Sequence, residues 1–241
     1  MKSWTIGRRT ALGFALVLFL TILFGLFAYL RVLTIEADEI LISEKSIPTT
    51  RICNDLNGNL QGAMRFIYAH IGSSDLQEMT QIEQQIAEAV SNNTTNYEKL
   101  DKIVKFEQGR KLLETLETSR KEFSKAREEV ITVSRQITNN VQAYLLARQK
   151  LEPASIAYKK DVDALSKYSD DFAKSAAQGI ANAVHLSKVG VLIGITITLL
   201  AGIFIAWYIT HTTNKRLNHV ADALNDGASQ VTAAAGQVSS S

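Results

Sequence analysis

An all-α, membrane-anchored fold is predicted by three features of this 241-residue chain. Two long uncharged apolar runs lie near its ends. The stretch between them repeats apolar residues at intervals of three and four. Only two prolines, Pro48 and Pro153, interrupt the whole. The 13 glycines do not cluster into hairpin turns, which argues against a sandwich or barrel of many short strands. Composition at 46% hydrophobic and 21% charged resembles a globular average, but that average hides the segregation of apolar blocks from a charged middle. With 26 Lys+Arg against 24 Asp+Glu the formal net charge is +2, so charge indicates no nucleic-acid partner. The one cysteine, Cys53, excludes an internal disulfide framework and a cysteine-based zinc site.

From Thr10 to Leu30 the chain carries no charge and is bounded by Arg8 and Arg9 before and Arg31 after. A hydrocarbon core of ~30 Å requires about 20 helical residues, whereas a cleavable signal peptide has an apolar centre of only ~7 to 15. The run therefore reads as an uncleaved anchor. A second uncharged run, Val189 to Thr210, lies between Lys188 and the cluster of His211, Lys215 and Arg216. Trp4 and Tyr29 bracket the first run, and Trp207 and Tyr208 close the second, the preference of amphipathic rings for the headgroup layer. Lys2, Arg8 and Arg9 on the N-terminal tail, with Lys215 and Arg216 after the second run, predict both termini on the cytoplasmic side. The predicted organisation is a tail over 1–9, a span over 10–30, an extracytoplasmic sensor domain over 31–188, a span over 189–210, and a cytoplasmic helix from 211 to 241.

Four helical stripes follow one another in the middle segment. The first runs through Ile52, Leu56, Leu60, Ala63, Ile67 and Ile71. The second takes Leu76, Met79, Ile82, Ile86, Val90, Asn93, Tyr97 and Leu100, and the third Phe106, Leu113, Leu116, Phe123, Ala126, Val130, Val133 and Ile137. After Pro153 a fourth takes Val162, Leu165, Phe172, Ala176, Ile180 and Ala183. Gly72-Ser73-Ser74-Asp75 suits the end of one helix and the cap of the next, and a second joint falls around Phe106 to Gly109. A longer link, broken by Asn139 and Asn140, is expected between the third and fourth helices, with Pro153 in the first turn of the fourth. Short joints make neighbours antiparallel, so the prediction is an antiparallel four-helix bundle whose first and fourth helices continue into the spans. Pro48 predicts a kink or break upstream of Ile52. No proline follows Pro153, so the fourth helix is expected to run unbroken as a rod of about 130 Å if residues 153 to 238 are all helical.

Past the second span Leu217, Leu224, Val231 and Val238 recur every seven residues, with Val220, Gly227 and Ala234 at the companion positions. That pattern predicts the start of a coiled coil, although Gly227, Gly236 and the closing serines also fit a disordered tail.

Opening WTIGRRTALGFALVLFLT, the segment SIPTTRICNDLNGNLQGAMRFIYAHIGSSD, and closing LNHVADALNDGASQVTAAAGQVSSS together resemble the N-terminal part of a bacterial methyl-accepting chemotaxis receptor with a four-helix-bundle sensor domain. The resemblance covers nearly the whole chain. It implies a homodimer in the bacterial inner membrane that senses a small-molecule ligand or a periplasmic binding protein outside. In a full-length receptor it implies control of a histidine autokinase and its coupling protein inside. The family's cytoplasmic hairpin does not follow Ser241, and its usual linker after the second span is not evident, so the chain reads as the front part of a longer polypeptide or a truncated relative of one. Two alternatives share the pattern: the input half of a sensor histidine kinase, and a membrane-tethered structural coiled coil without ligand.

Candidate site residues are few. Arg51 and Arg65, fourteen residues apart, fall within about 40° of each other on one helix. Planar guanidinium forks suit a carboxylate, and the resemblance implies such a use at a dimer interface. The spacing equally fits solvated surface arginines. Gly190, Gly194, Thr198, Gly202 and Ala206 form a ladder at intervals of four, either a transmembrane packing face or ordinary glycine enrichment of membrane helices. Asn93, on an apolar stripe, suits a register-setting role. His70, His185, His211 and His219 do not pair at metal-ligand spacing, and no phosphate loop, nucleophile elbow or zinc motif occurs. No metal, cofactor or enzymatic activity is expected.

Overall fold

A computed structural model describes residues 6–239, and every regular element among them is helical. These are α1 (Ile6–Ile40), α2 (Ile47–Gly72), α3 (Leu76–Ile103), α4 (Glu107–Ser134), α5 (Asn140–Leu146) and α6 (Glu152–Ser239). Two π-helical stretches, Leu41–Ser46 and Ala147–Leu151, join α1 to α2 and α5 to α6, and a single 3₁₀ turn covers Ile137–Asn139. Two compact units result, one of residues 35–181 and one of residues 1–34 with 182–241.

In the first unit, α2, α3, α4 and the α5–α6 segment form an antiparallel bundle, and the cross-helix hydrogen bonds give its register. Between α2 and α3, Asn59 reaches Asn93 and His70 reaches Glu83, so partner numbers fall on one helix as they rise on the other. Thr50, Asn57 and Tyr68 of α2 donate in the same reversed order to Asp170, Asp163 and Glu152 of α6. Cys53, Leu56, Ile67, Leu100, Leu116, Val130, Val162 and Leu165 are fully buried between the four helices. Burial of one such side chain stabilises the fold by ~1.5 to 3 kcal/mol, and this core supplies the main driving force for the bundle.

The first joint forms as its sequence suggests. Asp75 caps α3 by accepting from the Gln77 amide at 2.8 Å, and Ser73 donates to Glu78 at 2.6 Å. Ser73, just past the end of α2, is extended, so this helix ends without a left-handed glycine. The second joint is Val104 to Phe106. Buried Gly109 lies just inside α4 because a Cβ there would sit 2.8 Å from Val104 Cγ1 and 3.0 Å from Tyr168 Cε1.

One expectation needs correction. The long link before Pro153 is helical almost throughout, and only Arg135 and Gln136 separate α4 from the 3₁₀ turn. Ala143, Ala147 and Leu151 are each fully buried, so burying one face draws this segment into the bundle as the start of the fourth helix despite its two asparagines. At Pro48 the expected interruption takes the form of the π-helical stretch Leu41–Ser46, which ends α1 and leads into α2 with Pro48 in its first turn. A proline clashes with the carbonyl four residues back, and here the turn just before it is widened. Ile47 N–H bonds to Ile42 O, and the Ser169 hydroxyl donates to Ser46 O at 2.9 Å from across the bundle. Pro153 follows the second π stretch in the same way.

In the second unit, α1 and α6 each carry an apolar window of mean hydropathy 2.6, almost none of it buried. By length and composition both are able to cross a membrane. Phe14, Ile22, Leu192 and Ile203 are exposed there, as lipid-facing side chains are.

Candidate functional site

The bundle places its most unusual chemistry on α4. Along that helix Leu113, Leu116, Ser119, Phe123, Ala126 and Val130 form the buried stripe, and Arg120 and Arg127 each stand one residue past a small member of it, Ser119 and Ala126. Both arginines are therefore half-buried at the edge of the face that α4 turns inward. Arg120 Cζ lies 4.7 Å from the centre of the Tyr97 ring, and its Nη1 donates to Thr94 Oγ1 at 3.3 Å. Its Nε is buried with no hydrogen-bond partner among the described residues, and it forms no ion pair there. Arg127, with 13% of its side chain exposed, donates to Ser124 Oγ at 2.9 Å and to Glu128 Oε1 at 3.1 Å. Its burial lowers the proton affinity of the guanidinium.

Both arginines line a cavity of about 180 Å³ between α2, α3, α4 and α6. Ala63, Val90 and Phe123 supply apolar wall, Asn93, Thr94 and Ser124 supply polar wall, and Lys121 adds a third positive charge. No acidic residue lines it. Tyr158, 1% exposed, lies 5.9 Å from Phe123 ring to ring, and its buried hydroxyl has no partner among the described residues. Burial pushes its pKa up to about 12, so the phenol stays protonated and able to donate. Tyr97 is pushed up to about 12 as well, by burial first and then by its hydrogen bond to Glu117.

A second polar cluster ties three helices near the α2–α3 joint. Fully buried His70 has Nδ1 2.9 Å from Ser134 Oγ and Nε2 2.9 Å from Glu83 Oε1. Glu83 is also paired with Arg135, whose hydrogen bond is the main reason its carboxyl sits below the usual range. An ionised carboxylate only accepts, so His70 Nε2 carries a proton. No cluster of three or more metal-ligating side chains occurs among the described residues.

Arg51 and Arg65 are both exposed on α2, make no ion pair among the described residues and do not line the cavity. In the second unit Gly190 and Gly194 face the rings of Phe27 and Phe24 on α1. A Cβ on either would lie 2.6 Å from Phe27 Cε1 or 2.5 Å from Phe24 Cδ1. Thr198 bonds its hydroxyl to Gly194 O at 2.8 Å, while Gly202 has nothing within 4 Å of a built Cβ. Tyr29, Trp207 and Tyr208 are exposed, and Trp4 lies outside the described residues. Arg120, Arg127 and Tyr158 are absent from any reading of apolar stripes alone. The signal that could find the two arginines is a charged residue directly beside a small one, Ser119 or Ala126, on the buried stripe.

The first unit is thus a helical bundle with a partly polar cavity, and the second holds two helices long and apolar enough to cross a membrane. The sequence profile described as "four helix bundle sensory module for signal transduction" matches residues 3–183, and the chain belongs to that family. A search of curated proteins finds no match to it.

Proposed function

We propose that the chain is the sensor portion of a transmembrane chemoreceptor of the methyl-accepting type. It sits in the bacterial inner membrane with both termini in the cytoplasm and residues 31–188 outside. Ligand binding in the bundle favours one of two close arrangements of α6, and the displacement reaches the cytoplasmic end of the same helix. A tenfold preference for one arrangement is worth only ~1.4 kcal/mol, so the two must be nearly balanced beforehand.

The observation that carries this reading is the unbroken course of α6 from Glu152 to Ser239. One helix contributes Tyr158, Val162 and Leu165 to the bundle core, holds the uncharged run 189–210, and ends in a heptad stripe. Leu217, Val220, Leu224 and Val231 of that stripe are all exposed in the single chain, as they are when the partner of a coiled coil is missing. That supports a homodimer. In a full-length receptor the stripe leads to elements that control a histidine autokinase through a coupling protein.

Labelling and crosslinking test the proposal. Ser74→Cys should react with a membrane-impermeant maleimide on intact cells, and Asn225→Cys only after permeabilisation. Crosslinking of Leu224→Cys between two copies should respond to attractant extracts and lose that response on Ile193→Pro. Reversed labelling, or a response that survives the proline, would overturn it.

A further inference from the structure

We propose that the cavity between α2, α3, α4 and α6 is a binding site for a small monocarboxylate with a compact apolar body. The inference deepens the sensory reading by naming where the ligand sits and what chemistry it has. Its physiological meaning rests on that reading, but binding itself does not.

Charge sets the sign of the ligand. Arg120, Lys121 and Arg127 line the cavity and no carboxylate does. Lys121 and Arg127 have acidic partners in Glu117 and Glu128, whereas Arg120 has only the Thr94 hydroxyl and the face of Tyr97. Glu117 acts on Arg120 without forming an ion pair with it, so this half-buried guanidinium has no anion in contact, and an anion in the cavity supplies one.

Hydrogen bonding sets the acceptor. The two buried polar atoms without partners on this cavity, Arg120 Nε and Tyr158 Oη, both have a hydrogen to donate. Native proteins leave few such groups unsatisfied, and two donors on one cavity call for a ligand that only accepts. A carboxylate does so with two oxygens, and donors with a charged partner make the stronger hydrogen bonds.

Size and lining set the rest. About 180 Å³ compares with the ~150 Å³ engineered cavity that holds benzene in another protein. Ala63, Val90 and Phe123 leave an apolar wall for a ring or short aliphatic group. Benzoate and butanoate have this size and charge, while a phosphate ester would face the apolar wall with oxygens that find no donor.

The full chain in lipid nanodiscs provides the test, with 4-fluorobenzoate followed by ¹⁹F NMR and butanoate as competitor. Saturable binding at millimolar concentration or below is expected. Arg120→Gln should weaken it at least tenfold. Tyr158→Phe should weaken it several-fold while leaving the melting temperature of the ligand-free protein unchanged or raised, because the hydroxyl it removes has no partner. Arg51→Gln and Arg65→Gln should leave affinity unchanged. Failure of both acids to bind, equal binding by the neutral 4-fluorobenzyl alcohol, or unaltered binding by Arg120→Gln would each overturn the site. Intact binding without a change in Leu224→Cys crosslinking would instead sink the receptor reading and leave the site standing.

Discussion

Asn59 and Asn93 meet between α2 and α3, the Asn59 amide nitrogen donating to the Asn93 side-chain oxygen at 2.9 Å. Asn93 is 9% exposed and lines the cavity, so this bond fixes the register of two helices beside the candidate ligand site. Asn93→Ala should destabilise the chain by ~1 to 2 kcal/mol, because Asn59 loses its acceptor in a half-buried position. A double-mutant cycle with Asn59→Ala should return a coupling of about 1 kcal/mol. Additive single effects in denaturant titrations would show that the pair contributes nothing to register.

The Glu83 carboxyl is held below the usual range chiefly by Arg135, with His70 adding to the effect. A group whose folded pKa is depressed stabilises the fold fully above its unfolded value and loses that contribution as pH falls through the folded one. Thermal melts should therefore drop as the buffer is taken below about pH 4.5, and Glu83→Gln should flatten that part of the profile. An unchanged profile in the variant would assign the acid sensitivity to other carboxylates.

Burial, reinforced by Asp163 and Asp170, pushes the Cys53 thiol up to about 12. The thiolate is the reactive form, so at pH 8 the folded chain should react with a disulfide reagent far more slowly than the denatured chain. Equal rates would place Cys53 outside the core.

Gly194 lies against the Phe24 ring, and a Cβ in its place would come within 2.5 Å of it. Gly194→Val should lower stability in detergent by ~1 to 3 kcal/mol, the usual range for overpacking. Adding Phe24→Ala should recover part of the loss. If the valine alone is neutral, the two apolar helices do not pack at this point.

The helices of the bundle were readable from their stripes because a buried face imposes its period wherever propensity does not oppose it. The two long apolar runs were readable because charge is excluded from them. What escaped was the interruption of those rules. Arg120 and Arg127 stand beside the buried stripe of α4, each next to a small member of it, and reading only the apolar members drops the positions that carry chemistry. Asn139 and Asn140 read as a breaker, yet Ala143, Ala147 and Leu151 beyond them bury one face and keep the chain helical. His70 belongs to the core stripe seven residues after Ala63, and its partners Ser134 and Glu83 come from helices that only the tertiary fold brings near.

The π-helical turn at Ala147–Leu151 keeps the fourth helix in phase. Steps of four residues overshoot an α-helical turn by about 40°, so a run such as Ala143, Ala147 and Leu151 drifts off the interior unless the coil is wound more loosely for a stretch. The extra residue held there acts as a spacer. Deleting Gln149 would remove that extra residue, and the seven remaining α-helical steps from Ala143 to Leu151 would still return Ala143 to within about 20° of the interior, so the loss is absorbed where the coil is loose.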